Sequence, residues 1–415
     1  MWAAWLLVTA ITVFVGVRRL SGDSVRRRAA KSTPAQRPSV KPPSYDALLR
    51  HAQPSRCRWR QQRCQVDLPQ GYRATLTLDA GLQAHVLGEM QRFRVPYASL
   101  VALEPGSGRV LAYQSFSDAN PQAGDLAADA TPPAASVFKL VTAAALVDAG
   151  LKSDKRVCFR GGQHRIDEDN LREARGPSAQ CARLDAAMGL SLNAVFAKLA
   201  LRHLSPRRLQ HYADAFAFGQ RVDFALPYAV SPARVPSARL EFARAAAGFW
   251  HSQLSPLHGA LLAATFADGG AMPVPLLVAA LRDHRGRRVM RGKPRRFRQV
   301  VSAATAAQVA QMMVQTVRQG TAYKAFHDGK GVAFLPGIDI AGKTGSLNAS
   351  MPYRAYSWWV GFAPARKPKI AVAALVVNTP KWRIKASYLA REALRYYLID
   401  KVRQAQGTKL AHVVR

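Results

Sequence analysis

Residues 132 to 150, PPAASVFKLVTAAALVDAG, form an almost unbroken apolar stretch that carries Lys139 one turn after Ser136. A helix apolar on all sides belongs inside a large core, where an unpaired ammonium is costly. The lysine must either snorkel to the surface or serve a purpose. At i+3 it shares a face with Ser136. Desolvation lowers an amine's pKa, and a neutral amine beside a hydroxyl is a general base, so the pair reads as an activated nucleophile. The helix N-terminus adds a positive field for charge developing at the serine oxygen.

The surroundings of this helix limit the fold. Upstream, RATLTL is a short strand, Asp79 caps the helix AGLQAHVLGEMQRF, and SLVALEP with RVLAYQSF makes a hairpin through GSG. Between about 150 and 320, segments such as LDAAMGL, NAVFAKLALRHL and SPLHGALLAATFADGG have helical spacing and glycine stops. The C-terminal part is strand-rich (GIDIAGKTGS, YSWWVGFAP, KIAVAALVV) and closes with the helix IKASYLAREALRYYLI. Strands at both ends with helices between them imply one sheet assembled from distant segments, a mixed α/β (α+β) fold with an inserted helical subdomain.

Before residue 71 the chain looks different. Trp2 to Val17 is an uncharged apolar run slightly shorter than the roughly 20 residues that span a bilayer. It reads as an uncleaved anchor, since no basic residue precedes it and no clean cleavage site follows. Arg18, Arg19, Arg26, Arg27 and Arg28 after it oppose export by the positive-inside rule, a conflict that a start upstream of Met1 would remove. The expected organisation is an anchor over 1–17, a basic Pro/Arg-rich linker over 18–70, a folded domain over 71–403 and a tail over 404–415.

The net charge of +35 suggests attraction to anionic surfaces. Arginines are scattered, however, and zinc-finger spacing, RNP-like aromatic runs and basic-region heptads are missing, so nucleic acid is not an expected partner. The segment RDHRGRRVMRGKPRRFRQV (282–300) reads as a hairpin or loop with a solvated face. Cys57, Cys64, Cys158 and Cys181 allow three pairings. Two disulfides, most simply Cys57–Cys64 and Cys158–Cys181, suit an exported protein, and four reduced, buried thiols are the alternative. With no C-x-x-C and no H-E-x-x-H, neither a metal nor another cofactor is expected.

Two further motifs give Ser136 and Lys139 a setting. In SLN (191–193), between two helical patterns, Ser191 is placed to pass a proton and Asn193 to hold a substrate amide. KTGS (343–346) lies on an edge-like strand; K-T-G arises by chance only about once in ten such chains. Lys343 supplies a fixed cation, Thr344 a hydroxyl for a substrate carboxylate, and Gly345 room for an extended peptide along the strand. The backbone N–H groups of Ser346 and Ser136 are expected to form an oxyanion hole.

In this order S-x-x-K, S-x-N and K-T-G resemble the active-site triplet of penicillin-binding proteins and serine β-lactamases. TLDAGLQAHVLGEM, SLVALEPGSGRVLAYQ, PPAASVFK, GTAYKAF and WWVGFAPARKPKIAVAALVV are also similar to segments of their transpeptidase domains, so the likeness covers about residues 73 to 400. It implies a β-lactamase/transpeptidase-like fold, an antiparallel sheet flanked by helices. It also implies Ser136 as acylated nucleophile, Lys139 as base, Ser191 and Asn193 as second element, and Lys343, Thr344, Gly345 and Ser346 as third. The implied partners are peptidoglycan stem peptides, β-lactams as inhibitors, cell-wall synthesis complexes, and the bacterial cytoplasmic membrane, with the catalytic domain outside it. Two departures stand out. Serine follows K-T-G where threonine is commoner, and GFWHSQLSP (248–256) replaces a G-x-G-Q-G-like turn.

With neither a glycosyltransferase module nor a long pedestal fitting before residue 71, the chain resembles a minimal, membrane-tethered D,D-transpeptidase. Water in place of the acceptor amine makes a D,D-carboxypeptidase or endopeptidase. A β-lactamase is less consistent, because a glutamate in an E-x-x-L-N setting is missing and the middle motif is SLN, not S-x-V. A non-catalytic β-lactam sensor or scaffold is the alternative of another class.

Overall fold

The computed structural model describes residues 44–404 and residue 406. The anchor expected over 1–17 and the first part of the linker, 18–43, lie outside the described residues, as does the tail apart from residues 404 and 406.

The chain alternates strands and helices in an order that leaves its central sheet unfinished until the end. Strands β1 (Arg58–Arg60), β2 (Arg63–Asp67) and β3 (Arg73–Leu76) come first, followed by β4 (Tyr97–Leu103) and β5 (Val110–Phe116). Within the helical region lie β6 (Arg156–Phe159), β7 (Gln180–Arg183), β8 (Ala271–Pro273), β9 (Val278–Arg282), β10 (Arg288–Arg291) and β11 (Arg296–Gln299). Last come β12 (Ala341–Ser350), β13 (Tyr353–Ala363) and β14 (Ile370–Asn378). The central sheet has the order β12-β13-β14-β4-β5 and is antiparallel throughout.

Strand alternation divides the core between the two faces of this sheet. Val101, Leu103, Trp358, Val360, Ala373 and Leu375 face one cluster, which includes the helices Lys139–Val147 and Pro256–Ala267. Leu100, Ala102, Trp359, Val372, Ala374 and Val376 face the other, beneath the helices Ala80–Arg92 and Ala386–Arg395. Strands buried on both faces must be apolar throughout, which explains KIAVAALVV. Asp79 caps its helix as expected, its side chain accepting from the Leu82 N–H at 2.9 Å.

The fold begins earlier than residue 70. Tyr45–Leu49 is helical, and β1 and β2 join β3, β9 and β10 in a second five-stranded sheet. Leu48, Ala52, Cys64, Val66 and Leu68 are buried in the same core as the nucleophile helix. The linker reading therefore fails over 44–70: alternating burial of Cys64, Val66 and Leu68 between polar residues marks a strand that Pro and Arg composition obscured. The basic segment 282–300 is likewise not one hairpin. β9 and β10 pair around a turn at 283–287, whereas β11 turns away to pair with β8.

Cys57 is bonded to Cys64, and Cys158 to Cys181, with Cα–Cα distances of 5.3 and 3.9 Å. The second bond closes the β6–β7 hairpin below a long excursion, residues 160–179, that reaches the candidate site.

Candidate active site

The buried helix is not α-helical from its first turn. Ala135–Phe138 form a 3₁₀ turn that passes into the α-helix at Lys139, and Ala135 has a φ of 50°. That left-handed residue just before Ser136 stores strain of a kind that persists only when its neighbours over-determine it. Three contacts do so: Trp358 Nε1 donates to the Pro133 carbonyl at 2.8 Å, Ala134 N–H to the Ser252 carbonyl at 2.9 Å, and Leu254 N–H to the Pro132 carbonyl at 2.8 Å. Gly248 fits against the same turn. With a φ of 87°, it leaves no room for a side chain, since a Cβ there would stand 2.3 Å from the Ala135 carbonyl oxygen.

Lys139 is fully buried. Its Nζ lies 2.7 Å from Ser136 Oγ, 2.6 Å from Asn193 Oδ1 and 2.7 Å from the Ala247 carbonyl oxygen. The last two atoms can only accept. Burial, and then the charge of Lys343, hold this lysine well below the ordinary value. A neutral amine gives its two protons to Asn193 and Ala247, which leaves its lone pair for the Ser136 hydroxyl. The lysine of the apolar helix does not snorkel.

Lys343 is also fully buried, and desolvation lowers its pKa to about 7. Its Nζ donates to Ser191 Oγ at 2.8 Å and to the Thr344 carbonyl at 2.7 Å. Ser191 sits at φ 58° in the turn between the helices Leu184–Gly189 and Asn193–His203. β12 is the edge strand, so the K-T-G backbone has no strand partner on one side. Gly345 lets that edge close on the nucleophile turn: a Cβ there would lie 3.2 Å from Val137 Cγ2 and 3.4 Å from the Ala134 carbonyl oxygen. Ser346 follows and is exposed.

Residues 98–395, most of the chain, match the penicillin binding protein transpeptidase domain family. The chain belongs to this family. Among its relatives, the peptidoglycan D,D-transpeptidase PbpA of Mycolicibacterium smegmatis is 29% identical over 314 residues, covering 67% of this chain. The match spans 61% of that relative's own length. The solved D,D-transpeptidase domain of a peptidoglycan glycosyltransferase from Eggerthella lenta is 26% identical, with a TM-score of 0.64 over 79% of this chain and 83% of that one. Penicillin-binding protein A of M. tuberculosis, solved as an imipenem acyl-enzyme, is 26% identical, with a TM-score of 0.64 over 78% of this chain and 79% of that one.

This transpeptidase domain holds features that the motifs alone do not reveal. Asn193 turns inward: besides accepting from Lys139, its Nδ2 donates to the Gln163 carbonyl at 2.7 Å, so the excursion beyond the Cys158–Cys181 hairpin orients it. Thr321, from GTAYKAF, has its Oγ1 2.5 Å from Thr344 Oγ1. Neither Ala247 nor Gln163 carries a sequence signal, because each acts through a main-chain carbonyl. Among the described residues, His85, Glu89 and Glu392 have ligand-type atoms within 4.8 Å of one another, but between helices on the far face of the sheet. Arg391 and Arg395 already pair with Glu392 there, which disfavours a cation.

Proposed function

We propose that the chain is a monofunctional peptidoglycan D,D-transpeptidase that works through a Ser136 acyl-enzyme. The observation that carries this reading is the 2.7 Å approach of Lys139 Nζ to Ser136 Oγ, with the amine's other two partners restricted to accepting. Ser136 Oγ attacks the penultimate D-alanine carbonyl of a stem peptide and gives its proton to Lys139. The tetrahedral oxyanion rests on the backbone N–H groups of Ser136 and Ser346. As it collapses, the C–N bond breaks and terminal D-alanine leaves with a proton passed through Ser191. Lys343 and the paired hydroxyls of Thr344 and Thr321 hold the donor's terminal carboxylate. An amine from a second stem then attacks the ester and releases Ser136.

The extracytoplasmic domain begins near residue 44 in this reading, tethered by the apolar run 2–17. Among the described residues no helix is long and apolar enough to cross a membrane. Also among them, no carboxylate hydrogen-bonds to Ser136, Lys139, Ser191, Asn193 or Lys343, which supports a long-lived acyl-enzyme over rapid hydrolysis.

Intact-protein mass before and after a β-lactam, with peptide mapping, tests the reading. A lasting adduct on Ser136, absent from Ser136→Ala, is expected. An adduct lost within seconds would make the chain a β-lactamase, and no adduct in folded protein would leave a scaffold or sensor.

A further inference from the structure

The sheet β1-β2-β3-β9-β10 has two unlike faces. Cys64, Val66, Ala74, Leu76 and Leu281 point into the core. The alternate residues point to solvent, where Arg58, Arg60, Arg63, Arg73, Arg282, Arg288 and Arg291 share the surface with a single carboxylate, Asp67. Asp67 pairs with Arg58 and Arg73, each at 2.8 Å, and the Arg73 hydrogen bond holds its carboxyl below the usual range. Among the described residues, the other five arginines have no carboxylate partner.

The strand register brings like charges together. Arg60 lies directly opposite Arg63, Arg73 opposite Arg282, and Arg282 opposite Arg288. Directly opposed like charges destabilise a sheet, and here they recur across its width. An anionic partner would turn this repulsion into attraction.

We propose that this arginine face rests on the anionic phospholipid headgroups of the membrane that anchors the chain. The inference depends on the tethered reading above. Three observations favour a bilayer. The face is a sheet surface of five strands, about 20 Å across at the usual strand spacing, and so complements a plane of charge. Its strands Arg58–Arg60 and Arg63–Asp67 are the first of the described chain, and so the nearest in sequence to the apolar run 2–17 that is the tether in that reading. Finally, the sheet joins the central one at β5, through Thr77 Oγ1 to the Val110 carbonyl and Val110 N–H to the Leu276 carbonyl. β5 is the opposite edge from β12, so a docked sheet leaves the K-T-G edge open to the cell wall.

The test places the full chain in lipid nanodiscs of phosphatidylcholine, with or without phosphatidylglycerol, and maps arginine modification by phenylglyoxal. A basic residue gains roughly fivefold in partition at an anionic surface. Arg60, Arg63, Arg282, Arg288 and Arg291 should react about fivefold more slowly on the anionic discs. Arg234 and Arg383, which lie outside the sheet, should not change. In 1 M salt, where screening acts within about 3 Å, the protection should vanish. Equal rates on both discs would overturn the proposal. So would equal protection by soluble polyglutamate on zwitterionic discs, which would assign the face to an acidic polymer.

A chain that enters neither disc would refute the anchor, and the same footprint with added vesicles would still decide the role of the sheet. The double variant Arg60→Gln, Arg282→Gln should bind anionic vesicles roughly 25-fold more weakly. Unchanged β-lactam acylation of Ser136 would show that this variant is folded, and it reports on the transpeptidase reading separately.

Discussion

Lys139 Nζ donates to the carbonyl oxygen of Ala247, which lies directly before the glycine that packs on Ser136. One short segment therefore both orients the base and shapes the turn of the nucleophile. The departure GFWHSQLSP falls within this segment, and its first residue is the glycine on which the close packing depends.

Replacing Lys139 by methionine keeps the volume and removes the lone pair. Acylation by a β-lactam should slow by about 10²–10⁴-fold, the usual range for a general base. Lys139→Arg should not restore it, because a guanidinium stays protonated. Stopped-flow acylation on protein with an unchanged far-UV spectrum checks both.

Gly248→Ala forces a methyl group to within 2.3 Å of the Ala135 carbonyl oxygen. The nucleophile turn must move, and a displacement near 1 Å can cost about 10²-fold in rate. Stability should also fall by more than about 1 kcal/mol, since alanine is strained at positive φ. Thermal unfolding and acylation kinetics should both change, whereas Gly124→Ala, which meets no atom within 4 Å, should alter neither.

Acylation should show an alkaline limb near pH 7. Lys343 holds the substrate carboxylate as an ammonium, and its pKa of about 7 means that raising the pH removes that charge from the free enzyme. Stability should move in the opposite direction. The unfolded lysine titrates near 10.4, so from about pH 7 to that value the unfolded state binds more protons and stability rises with pH. Lys343→Met should lose the alkaline limb and reduce the rise in stability, part of which remains because Lys139 is also held below its ordinary value; pH profiles of acylation and of chemical denaturation read the two separately.

Cys158→Ser with Cys181→Ser opens the hairpin beneath the excursion that holds Asn193. About 3 kcal/mol of stability should be lost for a loop of this length. Acylation should also slow, because the Gln163 carbonyl no longer fixes the Asn193 amide that orients Lys139. A denaturant midpoint shift with unchanged acylation would mean that the disulfide acts on the fold alone.

Much of the chemistry was legible because it depends on side chains at fixed spacings. Ser136 and Lys139 meet at i+3, and K-T-G is a contiguous motif in the strand-rich C-terminal part. What could not be read acts through backbone or through pairing between distant strands. The Ala247 and Gln163 carbonyls have no residue signature, and Thr321 becomes relevant only when β12 brings Thr344 beside it. The early sheet was hidden for a different reason. β1 is only Arg58–Arg60, fully exposed, and its neighbour shows just two core residues, Cys64 and Val66. Such short strands exist only because β3 and β9 give them partners, and no local pattern encodes that pairing.

The strand order of the central sheet also has a consequence for how the domain is made. β4 lies between β5, which follows at once, and β14, which comes from the far end of the chain, where Leu375 pairs with Ser99. Synthesis delivers the N-terminus first, so β4 waits with one edge bare until nearly all of the domain has followed. During that interval its open edge can pair with another copy just as it will later pair with β14. The last strand to arrive is thus also what keeps the first half of the molecule from aggregating.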